Sequence, residues 1–167
     1  NDALYSLKEM HPNVPHFSII SLARWTTTND TWCRRFISDK TDNNWIHAFH
    51  DKQYLRGAHY SGWIGTSGAG GKNTDWHIHT ATMNNSDQGN RWVDTIRIGA
   101  VNHDGAGPNY QPKKVQFGGW QTNSEFSKGE VAEFIVYARV LSDDERQEVE
   151  AYLAHKWGLG DILPASH

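Results

Sequence analysis

Several residues in this sequence are of types, and at spacings, that could do chemistry. Trp76-His77-Ile78-His79 sets two imidazoles on one face of an extended strand, near enough to share a ligand, whereas His47 and His50 fall on opposite faces of an extended segment 45–50. Zinc at His77 and His79 would need a third ligand that spacing does not supply, and the plain alternative is a pair of half-buried strand histidines bonded to their neighbours. Glu130 and Glu133 are the strand carboxylates. Three positions apart they point to opposite faces, so they cannot straddle one glycosidic bond as the paired carboxylates of a retaining hydrolase do at about 5 Å. Glu133 is instead expected to pair with an arginine such as Arg24 beside the sheet.

The tryptophans carry the other chemistry. An indole face packs against the C–H face of a sugar while nearby amides, imidazoles or carboxylates take its hydroxyls. Trp63, flanked by Gly62 and Gly65, Trp120 beside Gln121 and Asn123, and Trp32 beside Asn29 and Asp30 have that setting. His77 and His79 could supply further polar contacts, although each of these rings could equally cap a hydrophobic core. The glycine-rich stretch 65–71 reads as a surface loop, because no strand-to-helix context supports a phosphate-binding role.

Positioning these side chains falls to short strands. Apolar or alternating runs at 4–7, 16–25, 34–38, 45–50, 76–83, 92–100, 114–119 and 130–137 are separated by polar, Gly- and Asn-rich turns, the pattern of an antiparallel sandwich. One helix follows. Ser142-Asp143-Asp144-Glu145 is a capping box, Val149, Tyr152, Leu153 and Trp157 form an apolar stripe, and Gly158 is placed for a left-handed cap before Pro164. On this reading Trp157 belongs to the core.

Composition narrows the classes. The 167 residues are 37% hydrophobic, 12% aromatic and 21% charged, with eight tryptophans and a net charge of -3. Mean hydropathy is -0.71, and no run approaches the about 18 apolar residues of a membrane helix, so no membrane insertion is expected. Near-neutral charge gives no polycationic footprint for nucleic acid. The single cysteine, Cys33, excludes an internal disulfide. The length suits a single domain, 1–167, and the opening without an initiator Met suggests a piece of a larger protein.

The stretch from Gly129-Glu130-Val131-Ala132-Glu133-Phe134-Ile135-Val136-Tyr137 through Leu141-Ser142-Asp143-Asp144-Glu145-Arg146 to Tyr152-Leu153-Ala154-His155-Lys156-Trp157-Gly158-Leu159 resembles the end of concanavalin A-like lectin/glucanase domains of the laminin-G-like (LamG) type. Weaker likeness extends to Asn1-Asp2-Ala3-Leu4, 17–24, 76–83 and 115–119, and Leu163-Pro164-Ala165-Ser166-His167 is similar to the family's closing tail. The resemblance implies an all-β, two-sheet antiparallel jelly-roll sandwich with one C-terminal amphipathic helix, part of whose opening strand precedes Asn1. The glucanase motif E-x-D-x-x-E and the lyase motifs R-x-E-x-R and Q-I-H are missing, so a polysaccharide lyase or hydrolase ranks last.

The resemblance also implies calcium at a sheet rim, with Asp39, Asp42, Asn44, Asp87 and Asp104 as the candidate oxygen ligands; the same Asx residues are also ordinary turn chemistry. The leading expectation is a non-catalytic carbohydrate-binding or adhesion module of an extracellular, cell-surface or virion-surface protein. Its expected partner is a glycan or polysaccharide. A structural decoration module that meets neighbouring protein subunits is the alternative.

Overall fold

The computed structural model describes residues 4–5, 16–39, 45–48, 50, 57–59, 62–64, 71–84, 88–102, 114–121 and 124–164. Eleven strands are found among them: β1 Leu4–Tyr5, β2 Phe17–Trp25, β3 Ile37–Asp39, β4 Ile46–His47, β5 Gly57–His59, β6 Gly62–Ile64, β7 His77–Met83, β8 Gln88–Val93, β9 Ile96–Asn102, β10 Val115–Phe117 and β11 Gly129–Tyr137. Helix α1 runs over Asp143–Lys156. One antiparallel sheet has the order β11-β2-β7-β8-β9, a second β1-β10-β3-β4, and β5 pairs with β6.

The long central strand β2 shows how the layers form. Phe17, Ile19, Ala23 and Trp25 project to one side and pack with Ile37 and Val115 of the opposing sheet and with Phe36 and Trp45, which lead into its strands β3 and β4. Ile20 and Leu22 project to the other side, with Ile78 of β7, and pack under Leu141, Leu153 and Ala154. Period-2 alternation thus buries both faces of one sheet, between a second sheet and a helix. Ser18 fixes the approach to the helix: its hydroxyl donates to Arg139 O at 3.0 Å and accepts from Leu141 N at 2.9 Å.

The capping box forms as expected, and Gly158 takes a left-handed φ of +69°. The helix stripe does not. Leu153 is buried, but Tyr152 and Trp157 are 51% and 46% exposed, so Trp157 is not a core residue. Arg146 and Glu150 are buried in their place, because Arg146 Nη1 donates to Glu150 at 2.5 Å and Thr80 Oγ1 of β7 donates to its other oxygen at 2.6 Å. Arg146 also stacks on Trp92 with its guanidinium 4.5 Å from the ring centroid. A buried charge pair whose carboxylate is bonded on both oxygens is tolerated under a helix.

Two further departures concern strands. The expected strand 92–100 is a hairpin, turning at Asp94 and Thr95, both with positive φ. In β11 the register slips between Val131 and Glu133, a β-bulge at Ala132.

Candidate functional site

Where the two sheets part beside β11, a cleft of about 810 Å³ opens. Its aromatic lining comes from Trp32, Phe36, Phe117, Phe126 and Phe134, and its polar groups include Thr26, Ser127, Lys128 and Glu133. Local chemistry sets Trp32 there. Asn29 caps a 3-10 turn over Asp30–Trp32, its side chain accepting from Thr31 N at 2.9 Å. The turn is then tied to the approach to β11 by Lys128 N donating to Trp32 O at 2.9 Å and Thr26 N donating to Lys128 O at 3.1 Å. Lys128 Nζ consequently lies 4.6 Å from the Trp32 ring centroid, and among the described residues it meets no carboxylate. Phe117 and Phe134 close the floor edge to face, 5.5 Å between centroids.

Glu133 sits at the rim. Its Oε1 accepts from Lys156 Nζ and from the Trp157 indole N–H, both at 2.7 Å, and these bonds hold the carboxyl below its ordinary range. The expected pairing with Arg24 is not made: Arg24 Nη2 binds Glu130 at 2.7 Å. The bulge explains the exchange. Register pairs Glu130 with Arg24 and Glu133 with Leu22, so the two glutamates share the helix side of the sheet rather than opposite faces. Each is engaged by its own cation.

Trp120 forms a second cluster just beyond β10. Arg35 lies over its ring at 4.2 Å and donates from Nε to Glu125 at 2.8 Å. Glu125 is drawn down to about 2 by His50, whose Nε2 is 3.6 Å away, and by Arg35. Gly118, Gln121 and Glu125 all adopt positive φ, and for Gln121 and Glu125 this is a strained backbone conformation. Asn123, expected beside Trp120, lies outside the described residues, as does the side chain of Trp63, whose backbone belongs to β6.

His77 and His79 do share a face, with ring centroids 6.1 Å apart, but their settings differ. His77 bonds Asp94 Oδ2 through Nδ1 at 2.6 Å and Asn73 Oδ1 through Nε2 at 3.0 Å, while Asp94 Oδ1 accepts from Ile78 N at 2.9 Å. These bonds secure the hairpin tip. His79 is fully buried between the sheets, out of reach of a surface ligand, against Arg91 Nη2 at 3.2 Å. Burial, then the charge of Arg91 and the neighbouring His77 and His47, pushes its imidazole well below the ordinary value; burial alone brings Arg91 down to about 9. His47 joins this interior by bonding Ser21 Oγ through Nε2 at 3.0 Å, a contact between sheets that spacing along one strand does not reveal.

Among the described residues no group of three His, Cys, Asp or Glu side chains could hold a metal. Asp39 does not fit a calcium ligand: it is buried in β3, with Oδ2 accepting from the Trp45 indole at 2.9 Å and Lys114 N at 3.2 Å. Asp42, Asn44, Asp87 and Asp104 lie outside the described residues. Lys128 and Glu133 were not expected at the cleft, nor Tyr152 and Trp157 at the surface beside it. The strand-to-helix crossing that brings β11 and the end of α1 together is the signal that joins them.

Two packed antiparallel sheets with a C-terminal helix define a β-sandwich, a fold shared with part of solved receptor-binding and botulinum neurotoxin binding domains. Among these, the botulinum neurotoxin serotype C1 binding domain matches with a TM-score of 0.61 at 12% identity over 87% of this chain and 37% of that one. A structure described by the dependence of botulinum neurotoxin type C cell entry on interaction with two ganglioside molecules matches at 0.59, 12% identity, and 87% and 36% coverage. The binding domain of botulinum neurotoxin DC in complex with rat synaptotagmin II matches at 0.58, 14% identity, and 83% and 36% coverage. The chain therefore spans little more than a third of each solved chain. No protein-family model and no curated protein matches the sequence.

Proposed function

We propose that this chain is a non-catalytic carbohydrate-binding module, laminin-G-like with jelly-roll connectivity, from an extracellular, cell-surface or virion-surface protein. The observation that carries this reading is the cleft at Trp32, where an aromatic lining is joined by Thr26, Ser127 and an ammonium group above the indole. A sugar ring packs its C–H face on such a lining, and Lys128, Ser127 and Thr26 bind its oxygens. The ganglioside interaction of a structural neighbour supports a glycan ligand. Catalysis finds no support at Glu130 and Glu133, since each carboxylate is committed to Arg24 or to Lys156 and Trp157.

A glycan array followed by calorimetric titration tests the proposal. Wild type should bind, and Trp32→Ala should lose at least about tenfold in affinity, or about 1.4 kcal/mol. Silence of the folded protein on the array, with and without calcium, refutes it. Calcium held by Asp42, Asn44, Asp87 and Asp104 belongs to the same reading; a higher melting temperature in calcium than in EDTA is its expected sign. A second reading, docking of a protein partner, is favoured by the synaptotagmin complex of one neighbour. It predicts capture of a protein ligand by a chain that binds no sugar.

A further inference from the structure

Beside the cleft, at the end of α1, lies an aromatic surface whose polar edges are already fixed. Trp157 is the C-cap of the helix, and Gly158 turns the chain away with its positive φ. The indole N–H of Trp157 is held by Glu133 Oε1 at 2.7 Å. Tyr152 stands one helical turn before Lys156, and its hydroxyl accepts from Lys156 Nζ at 2.9 Å while the same ammonium binds Glu133 at 2.7 Å. These bonds tie the edges of both rings while about half of each remains in solvent. An exposed ring held in place loses little conformational freedom when a ligand covers it, which lowers the cost of binding.

Glu133 belongs to both surfaces. It lines the cleft, and it is the acceptor that anchors Trp157 and Lys156. Its second oxygen, Oε2, accepts no hydrogen bond among the described residues, which leaves it for a ligand hydroxyl at the point where cleft and aromatic surface meet. The sequence of groups is therefore ring, carboxylate, ring: Trp32 within the cleft, Glu133 at its rim, Trp157 and Tyr152 beyond it. A chain of sugars, which alternates apolar faces with hydroxyl edges, matches that succession. An apolar peptide or lipid would bury the free Glu133 oxygen without a donor.

Resting on the carbohydrate reading of the cleft, we propose that the ligand is an extended oligosaccharide, with one unit in the cleft and the following units crossing Glu133 onto Trp157 and Tyr152. The probes are size-graded oligosaccharides, from single sugars upward, of ganglioside headgroups, laminarin and alginate, titrated into wild type, Trp157→Ala, Tyr152→Ala and Trp32→Ala. In at least one series, wild-type affinity should rise about tenfold as the chain outgrows the cleft. Trp157→Ala and Tyr152→Ala should lose most of that gain while keeping the affinity for the shortest binder. Trp32→Ala should weaken every length.

A thermal melt accompanies each variant, and Trp157→Phe, which keeps a ring but loses the Glu133 bond, covers the case of a misfolded alanine variant by retaining part of the gain. Binding that does not depend on length, or a length gain untouched in Trp157→Ala, overturns the extension and leaves the cleft reading standing. No binding by wild type in any series removes the cleft reading and the extension together.

Discussion

Replacing Glu125 by Gln removes the charge that clamps Arg35 over Trp120, and its effect can be worked out from the site. The carboxylate accepts from Arg35 Nε at 2.8 Å and is drawn from 4.5 to about 2 by His50 and Arg35. A carboxyl with a depressed folded value adds stability that is complete above the unfolded value and is lost as pH falls through the folded one. The window here runs from 4.5 down to about 2. At about 1.4 kcal/mol per unit, the ceiling is about 3.4 kcal/mol. Because the side chain is 25% exposed, solvent screening reduces this to about 2 kcal/mol.

Urea unfolding of both proteins at about pH 7 and about pH 3, at constant ionic strength, provides the measurement. At the higher pH the Gln variant should be less stable by about 2 kcal/mol. At the lower pH the unfolded wild-type carboxyl is mostly protonated and the folded one still mostly ionised, so the difference should shrink to less than half. An equal penalty at both pH values would mean lost packing rather than lost charge and would refute the reasoning. Emission from Trp120 should change in parallel, since Arg35 lies 4.2 Å over its ring.

Three further outcomes follow from the packing. Gly129→Ala should cost about 2–3 kcal/mol in an unfolding titration, because a Cβ there would lie 2.4 Å from Phe36 Cζ and 2.5 Å from Arg24 O, and Arg24 O is backbone that cannot rotate away. His79 is kept neutral in the fold while the unfolded imidazole takes a proton near 6.5. Wild-type stability should therefore fall below that pH by up to about 1.4 kcal/mol per unit, and His79→Gln should show a shallower slope in melts across that range; identical slopes would exclude His79 as the source. Ser142→Ala, which loses the bond from Glu145 N, should cost about 1 kcal/mol, with Ser142→Asp restoring most of the melting temperature.

What the sequence reveals is what is determined locally. The cap at Ser142, the left-handed Gly158 and the shared face of His77 and His79 each depend on residues within a few positions of one another. The hairpin at Asp94 and Thr95 does not: it contains no glycine, and its left-handed conformation is held by bonds from Asp94 to Ile78 N and His77, far back in β7. A strand reading of 92–100 misses it for that reason. The helix stripe misleads in the same way, because Arg146 and Glu150 become buriable only once Thr80 and Trp92 of the sheet stand beneath them.

The bulge in β11 draws these strands together. Were Ala132 regularly paired instead of bulged out, strict alternation would place Glu130 and Glu133 on opposite faces. With the bulge, Val131 and Phe134 both pack into the core between the sheets, and Glu133 turns to the helix side, where Trp157 and Lys156 meet it. By taking Ala132 out of the alternation, the bulge keeps the cleft lining apolar and sets a carboxylate at its rim. Deleting Ala132 would restore regular pairing with β2 and leave Glu133 opposite Leu22 on the side of α1, because Glu133 would then follow Val131 directly. Trp157 should then keep its anchor, and affinity that depends on the ordered platform should survive the deletion; its loss would mean that the bulge geometry itself, not the face alone, aims Glu133 at Trp157.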